Sequence, residues 1–99
     1  MIIAELAIFP TSEGASVGRY VKEVLRVLED SGLKTATSAM STTVEAPDLE
    51  TLFAVVARAE RAVTALGARR VHIDLRVDHR LDKDATIASK LAAVGKTPD

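Results

Sequence analysis

The chain contains no cysteine and no tryptophan. Without a thiol, disulfides, thiolate nucleophiles and thiolate metal sites are excluded outright. Aromatic residues are also sparse. Phe9, Tyr20 and Phe53 are the whole set, too few and too scattered for the base-stacking platform of an RNA-binding sheet. Neither sign of charge dominates: 13 Lys and Arg stand against 14 Asp and Glu, a formal net charge of −1. An interspersed surface of this kind lacks the concentrated basic patch that phosphate backbones require, so no nucleic-acid partner is expected. No apolar run approaches the roughly eighteen residues of a membrane span, and the opening MIIAELAIFP carries neither a basic leader nor a small-residue cleavage pattern. The chain reads as cytoplasmic, with no membrane partner.

What is present is a well-patterned single domain, 1–99. A chain of this length buries only about 60–70% of its unfolded surface, so self-association would add usefully to its burial. The most informative stretch is Arg70–Lys83. Val71, Ile73, Leu75 and Val77 alternate there with His72, Asp74, Arg76 and Asp78, a period of two that a β-strand sorts onto opposite faces. One face seals a core and the other meets solvent, a ligand or another chain.

The remaining elements follow from the same reasoning. Ile2–Phe9 reads as a central strand ended by Pro10, with Glu5 the one charge on its open face. Ser16 is the expected N-cap of a helix running to about Ser31, with Val17, Tyr20, Val21, Val24, Leu25 and Leu28 at helical spacing and Gly32 as its stop. Thr35–Ala39 and Thr42–Glu45 read as a hairpin turning at Met40-Ser41. Pro47 and Asp48 open a second helix whose buried stripe is Leu49, Leu52, Phe53, Val56, Val63 and Leu66, stopped by Gly67. A strand over Arg70–Arg80 and a short helix from Asp84 or Thr86 to Val94 complete the chain, and residues 95–99 are expected to fray. The order β-α-β-β-α-β-α with right-handed crossovers gives an α+β, ferredoxin-like sandwich. It has a four-stranded antiparallel sheet covered by helices on one face, plus an extra C-terminal helix.

Several motifs resemble the small thiamine-binding proteins. The likeness runs from Ile2 to Val94. It includes the strand ending AELAIFP, the helix start Ser16-Val17-Gly18-Arg19-Tyr20-Val21 and the helix end LEDSGLK at Leu28–Lys34. Two marks are more specific. The family's hairpin reads P-M-G-T-x-I-E-G, here Ala39-Met40-Ser41-Thr42-Thr43-Val44-Glu45-Ala46, and its last strand ends K-I-D-x-R-x-D-K, here Arg76-Val77-Asp78-His79-Arg80-Leu81-Asp82-Lys83. The resemblance implies homodimers or homotetramers that bind thiamine or its pyrimidine moiety without turnover, and no further cofactor. Ala39, Ser41 and Ala46 depart from the family's proline and two glycines, and Gly18 from a hydroxyl.

The hairpin is the expected ligand site. Ser41, Thr42 and Thr43 would supply hydrogen bonds, Met40 an adaptable wall, Glu45 an acceptor for an amino group and Phe9 a stacking surface. The competing reading is that the threonines are simply good strand residues and Glu45 a solvated strand end. Asp78, Arg80, Asp82 and Lys83 have the alternating carboxylates of a metal or phosphate site. The cations among them would satisfy those carboxylates, so a salt-bridged structural corner is expected instead. Glu5, His72, Asp74 and Arg76 share the open face and read as a polar subunit interface. A His-Asp catalytic pair is disfavoured, since residues two apart on a strand are about 7 Å apart and no nucleophile accompanies them. Two functions remain in contention: a non-enzymatic binding module, or a structural or regulatory oligomer with no small-molecule ligand.

Overall fold

A computed structural model of the chain describes residues 1–98. The elements are β1 (Ile2–Pro10), α1 (Gly18–Asp30), β2 (Thr35–Thr37), β3 (Thr42–Ala46), α2 (Leu49–Ala65), β4 (Val71–His79) and α3 (Ile87–Ala93). The sheet order is β2-β3-β1-β4 and every neighbouring pair is antiparallel. This is the ferredoxin-like arrangement expected from the order of elements.

Alternation along β1 decides where the core sits. Ile2, Ala4, Leu6 and Ile8 are buried on one face against Val24 and Leu28 of α1 and Leu52, Val56, Ala59 and Val63 of α2. Fully burying a leucine such as Leu28 or Leu52 is worth about 1.5–3 kcal/mol. The opposite face of β1 carries Ile3, Glu5, Ala7 and Phe9, which lie across from Asp78, Arg76, Asp74 and His72 of β4.

Asp48 caps α2 as expected, accepting from the Thr51 N–H at 2.7 Å. Two expectations about the helices are corrected. Helix α1 begins with Val17 as its cap residue and has no side-chain cap, so Ser16 does not serve as one. Its first turn closes through the Tyr20 and Val21 N–H groups, which donate to the Val17 carbonyl, and the Tyr20 hydroxyl ties the preceding loop to it by donating to Glu13 Oε1 at 2.8 Å. Phe53, 51% exposed, and Leu49, 38% exposed in the first turn, are not core. The buried residues of α2 are Leu52, Val55, Val56, Ala59 and Val63, and Phe53 lies about 100° around the helix from the centre of that stripe.

Helix α3 adds a feature to the nominally open face. It folds back over the end of the sheet at Ile3, which is only 8% exposed. A capping box between Thr86 and Ser89 starts it. At its end Lys96 N–H bonds to the Leu91 carbonyl and Gly95 N–H to that of Ala92, with Gly95 at φ +76°, the geometry of a Schellman stop. Gly95 and Lys96 are therefore held rather than frayed, and Asp99 lies outside the described residues.

Candidate binding site

The hairpin is shorter than β1, and this mismatch makes a cavity. Pairing between β1 and β3 stops at the Leu6–Thr42 rung, while β1 continues to Pro10 along β4. Ser38 N–H donates to the Ser41 carbonyl at 2.8 Å, so the turn is centred on Ala39-Met40, one residue earlier than expected. No residue of the turn has positive φ, and a turn without it matches strand twist poorly and lets the strands splay. Beside the unpaired end of β1 lies a cavity of about 260 Å³. Its floor is Leu6–Phe9, one wall is Val17, Val21, Val24 and Leu25 of α1, and its rim is Thr37–Thr42.

The chemistry of this cavity is simple. It has aliphatic walls, four hydroxyls at the rim (Thr37, Ser38, Ser41, Thr42) and no charged side chain. Thr37 and Thr42 hydroxyls lie 3.2 Å apart and share a hydrogen bond, and Ser38 Oγ donates to the Ser41 carbonyl at 3.2 Å. Other depressions on the surface include charged side chains, although the one of about 570 Å³ beneath α3 is otherwise aliphatic and hydroxyl-lined, with Lys90 and Lys96 its charges. One of about 310 Å³ borders Glu5, Arg76, Asp78 and Lys90, and one of about 470 Å³ borders Arg80, Lys83 and Asp84.

Of the six residues expected at a ligand, Met40, Ser41 and Thr42 meet at this cavity; Phe9 borders it as well, but its ring stacks on His72 on the opposite sheet face, so the expected stacking surface is not directed at this space. Thr43 and Glu45 do not reach it. Both point to the face under α3, where Thr43 borders Ile3, Ile87 and Leu91. Glu45 pairs with Ile3, six residues from Phe9, a separation of about 20 Å along the strand. No single heteroaromatic spans that gap, so the expected placement of one ring over Phe9 and against Glu45 is corrected. Glu45 is 8% exposed, and its Oε1 accepts from the Ile87 N–H at 2.5 Å. It is thus neither a solvated strand end nor a neighbour of Phe9; it docks α3 to the sheet. Glu45→Ala should cost about 2 kcal/mol through loss of a charge-assisted bond to a buried N–H, or roughly 10 °C in melting temperature. Thermal melts check this, and an unchanged midpoint would contradict the docking role.

The interface candidates form an ordered stripe on the open face. Arg76 Nη1 lies 3.6 Å from Glu5 Oε1, and Phe9 and His72 stack with ring centroids 5.0 Å apart. His72 Nε2 reaches Asp74 Oδ2 at 3.2 Å, because both side chains lean along the strand and close the gap that backbone spacing sets. Among the described residues no hydroxyl bonds to this His72, so the pair does not extend to a nucleophile.

The expected corner divides in two. Asp78 pairs with Lys90 of α3 at 2.5 Å, while Arg80 grips Asp82 alone through both Nε and Nη2. Both pairs are well exposed. Lys83 makes no ion pair among the described residues. Lys90 holds the Asp78 carboxyl below its ordinary pKa, and Arg80 does the same for Asp82. Hydrogen bonds from Tyr20 and Ser12 lower Glu13, and the Thr51 N–H lowers Asp48. Carboxylates with depressed folded pKa values stabilise the fold fully above their ordinary values, near 4, and lose that contribution as pH falls through the lowered ones. Melting temperature should therefore drop as pH falls below about 4. A midpoint that holds steady to about pH 2 would contradict these four assignments.

Several lining residues were not evident from sequence. Val17, Val21 and Leu25 read there only as core positions of α1, yet all three are half-buried because the hairpin stops short of covering them. Ile8 and Thr37 likewise belong to the cavity through topology rather than through any motif.

Comparison with known proteins places this geometry in context. The profile of a family described as "Thiamine-binding protein" matches residues 4–95. UPF0045 protein MJ1052 of Methanocaldococcus jannaschii is 38% identical over 95 residues, covering 96% of this chain and 93% of that protein. Its crystal structure aligns with a TM-score of 0.88 over 96% of both chains. UPF0045 protein YqgV of Bacillus subtilis is 36% identical over 101 residues, covering 97% of this chain and 96% of its own. A Bacillus cereus domain of unknown function, DUF77, aligns with a TM-score of 0.81 at 28% identity, over 91% of this chain and 86% of that one.

Proposed function

The chain belongs to the thiamine-binding protein family, and on that premise we propose that it is a cytoplasmic, non-enzymatic binding protein. It holds the aminopyrimidine end of thiamine, or a free hydroxymethylpyrimidine, in the hairpin cavity. The observation that carries this reading is the cavity itself: about 260 Å³ with aliphatic walls and a hydroxyl rim. Drug-sized ligands occupy about 300–1,000 Å³, so a space this small suits one ring. Its lack of charged walls favours a neutral ring and leaves a thiazolium or phosphate outside. The departures at Ala39, Ser41 and Ala46 are compatible with this, because none of the three has positive φ and the backbone there does not require glycine.

The same reading includes self-association through β4. This strand is a nine-residue sheet edge without proline, and its apolar face is incompletely covered, Ile73 being 38% and Val77 41% exposed. A long edge of this kind can pair when its charges meet opposite charges on the partner. A two-fold axis at Leu75 would continue the sheet and set Arg76 against Asp74 of the partner subunit. The same axis would set His72 against Asp78 of the partner subunit.

Thermal shift against thiamine, its phosphates and hydroxymethylpyrimidine tests the ligand. At a hundred times Kd a ligand adds roughly 2.7 kcal/mol and moves the midpoint by several degrees. The expected result is a rise with all of them, little altered by phosphorylation. No rise with any of them would favour a structural oligomer with no small-molecule ligand.

A further inference from the structure

We infer that the peptide edge of Ile8 is the polar contact that orients a ring in the hairpin cavity, its N–H donating to a ring nitrogen and its C=O accepting from an adjacent amino group. The inference rests on the reading of the cavity as a pyrimidine site and names the groups that read the ligand there.

Strand parity identifies this edge. Glu45 N–H donates to the Lys34 carbonyl, so the odd residues of β3 turn their peptide groups toward β2, and Thr42, Val44 and Ala46 turn theirs toward β1. Their partners Leu6, Ala4 and Ile2 therefore face β3 through the even residues of β1, while Ile3, Glu5, Ala7 and Phe9 bond to β4. The bond from Thr11 N–H to the Arg70 carbonyl continues that odd series. Ile8 is the next even residue beyond the final Leu6–Thr42 rung. Its N–H and C=O point to the side the hairpin has vacated, and among the described residues they have no protein partner.

Two further facts make this edge selective. Pro10, the following even position, has no N–H, so the vacated edge presents a single donor, at Ile8, with an acceptor beside it. The rim hydroxyls are largely engaged with the hairpin, Thr37 with Thr42 and Ser38 with the Ser41 carbonyl. Ile8 is only 3% exposed, and buried peptide groups without partners are rare and costly. The complementary ligand edge is a ring nitrogen next to an amino group, which meets the N–H and C=O of one extended residue together. A ring without the amino group leaves the C=O unmet.

The test is a ¹⁵N-¹H NMR titration of the full chain with 4-amino-5-hydroxymethyl-2-methylpyrimidine and with its counterpart lacking the amino group. The Ile8 amide should shift downfield and its solvent exchange slow by about tenfold or more, while the Ala7 and Phe9 amides, bonded across to β4, move far less. The des-amino compound should bind about tenfold more weakly or worse. If the Val21, Leu25 and Ser41 amides respond but Ile8 does not, or if both compounds bind equally, the inference fails and the cavity reading stands. If neither compound perturbs any of these amides, the cavity reading fails and takes the inference with it.

Discussion

Replacing Val21 by tryptophan is expected to abolish binding of thiamine and hydroxymethylpyrimidine, a loss of about a hundredfold or more in affinity, because steric exclusion acts on every ligand pose. Val21 sits on the cavity-facing side of α1 beside Val17 and Leu25 and is only half-buried. An indole there extends into the space rather than into packed core, so the cost to stability should stay near 1 kcal/mol. Titration calorimetry on the folded variant measures the first effect, and a thermal melt the second. Glu45→Gln makes the matching control. It sits about 20 Å from Phe9 along the sheet and should leave affinity unchanged while lowering stability. Wild-type affinity in Val21→Trp would move the site elsewhere.

Reversing Arg76 to glutamate should weaken self-association by roughly tenfold or more, since a two-fold at Leu75 repeats the new Glu-Asp opposition twice and like charges directly opposed across strands are destabilising. The same axis makes a stricter prediction. Asp74→Arg combined with Arg76→Glu exchanges the two signs and should restore the association that the single reversal loses. Sedimentation equilibrium of the three proteins measures it. The loss of the exposed Arg76–Glu5 contact, 3.6 Å long, is too weak to unfold the chain by itself. A wild-type protein that stays monomeric at micromolar concentration would contradict the β4 interface, as would a double variant no better than the single.

Much of this was legible in the sequence because local rules and the fold agree. The alternation at Val71–Asp78 produced a strand with its polar face as read, but its apolar face meets the core only at Val71 and Leu75 and leaves Ile73 and Val77 exposed; Asp48 and Thr86 cap the helices they precede. The misreadings came from tertiary geometry. Phe53 satisfies helical spacing to its apolar neighbours, yet α2 turns it away from the core. Glu45 shares a sheet face with Phe9, as alternation requires, but parity carries no information about distance along a strand or about which helix returns to cover that face. The cavity was half visible. Its hydroxyl rim lies in one contiguous motif, whereas its floor and wall come from β1 and α1 and exist only because the hairpin ends four residues before β1 does.

The central claim is that one ring lies between the hairpin, the end of β1 and α1. A crystal structure of the chain with hydroxymethylpyrimidine tests it most directly. The ring is predicted to lie against Ile8, walled by Val21 and Leu25 and covered by Met40, with its amino edge on the Ile8 peptide. A ring on the open face over Phe9 and His72, or beneath α3 beside Thr43 and Glu45, would contradict it.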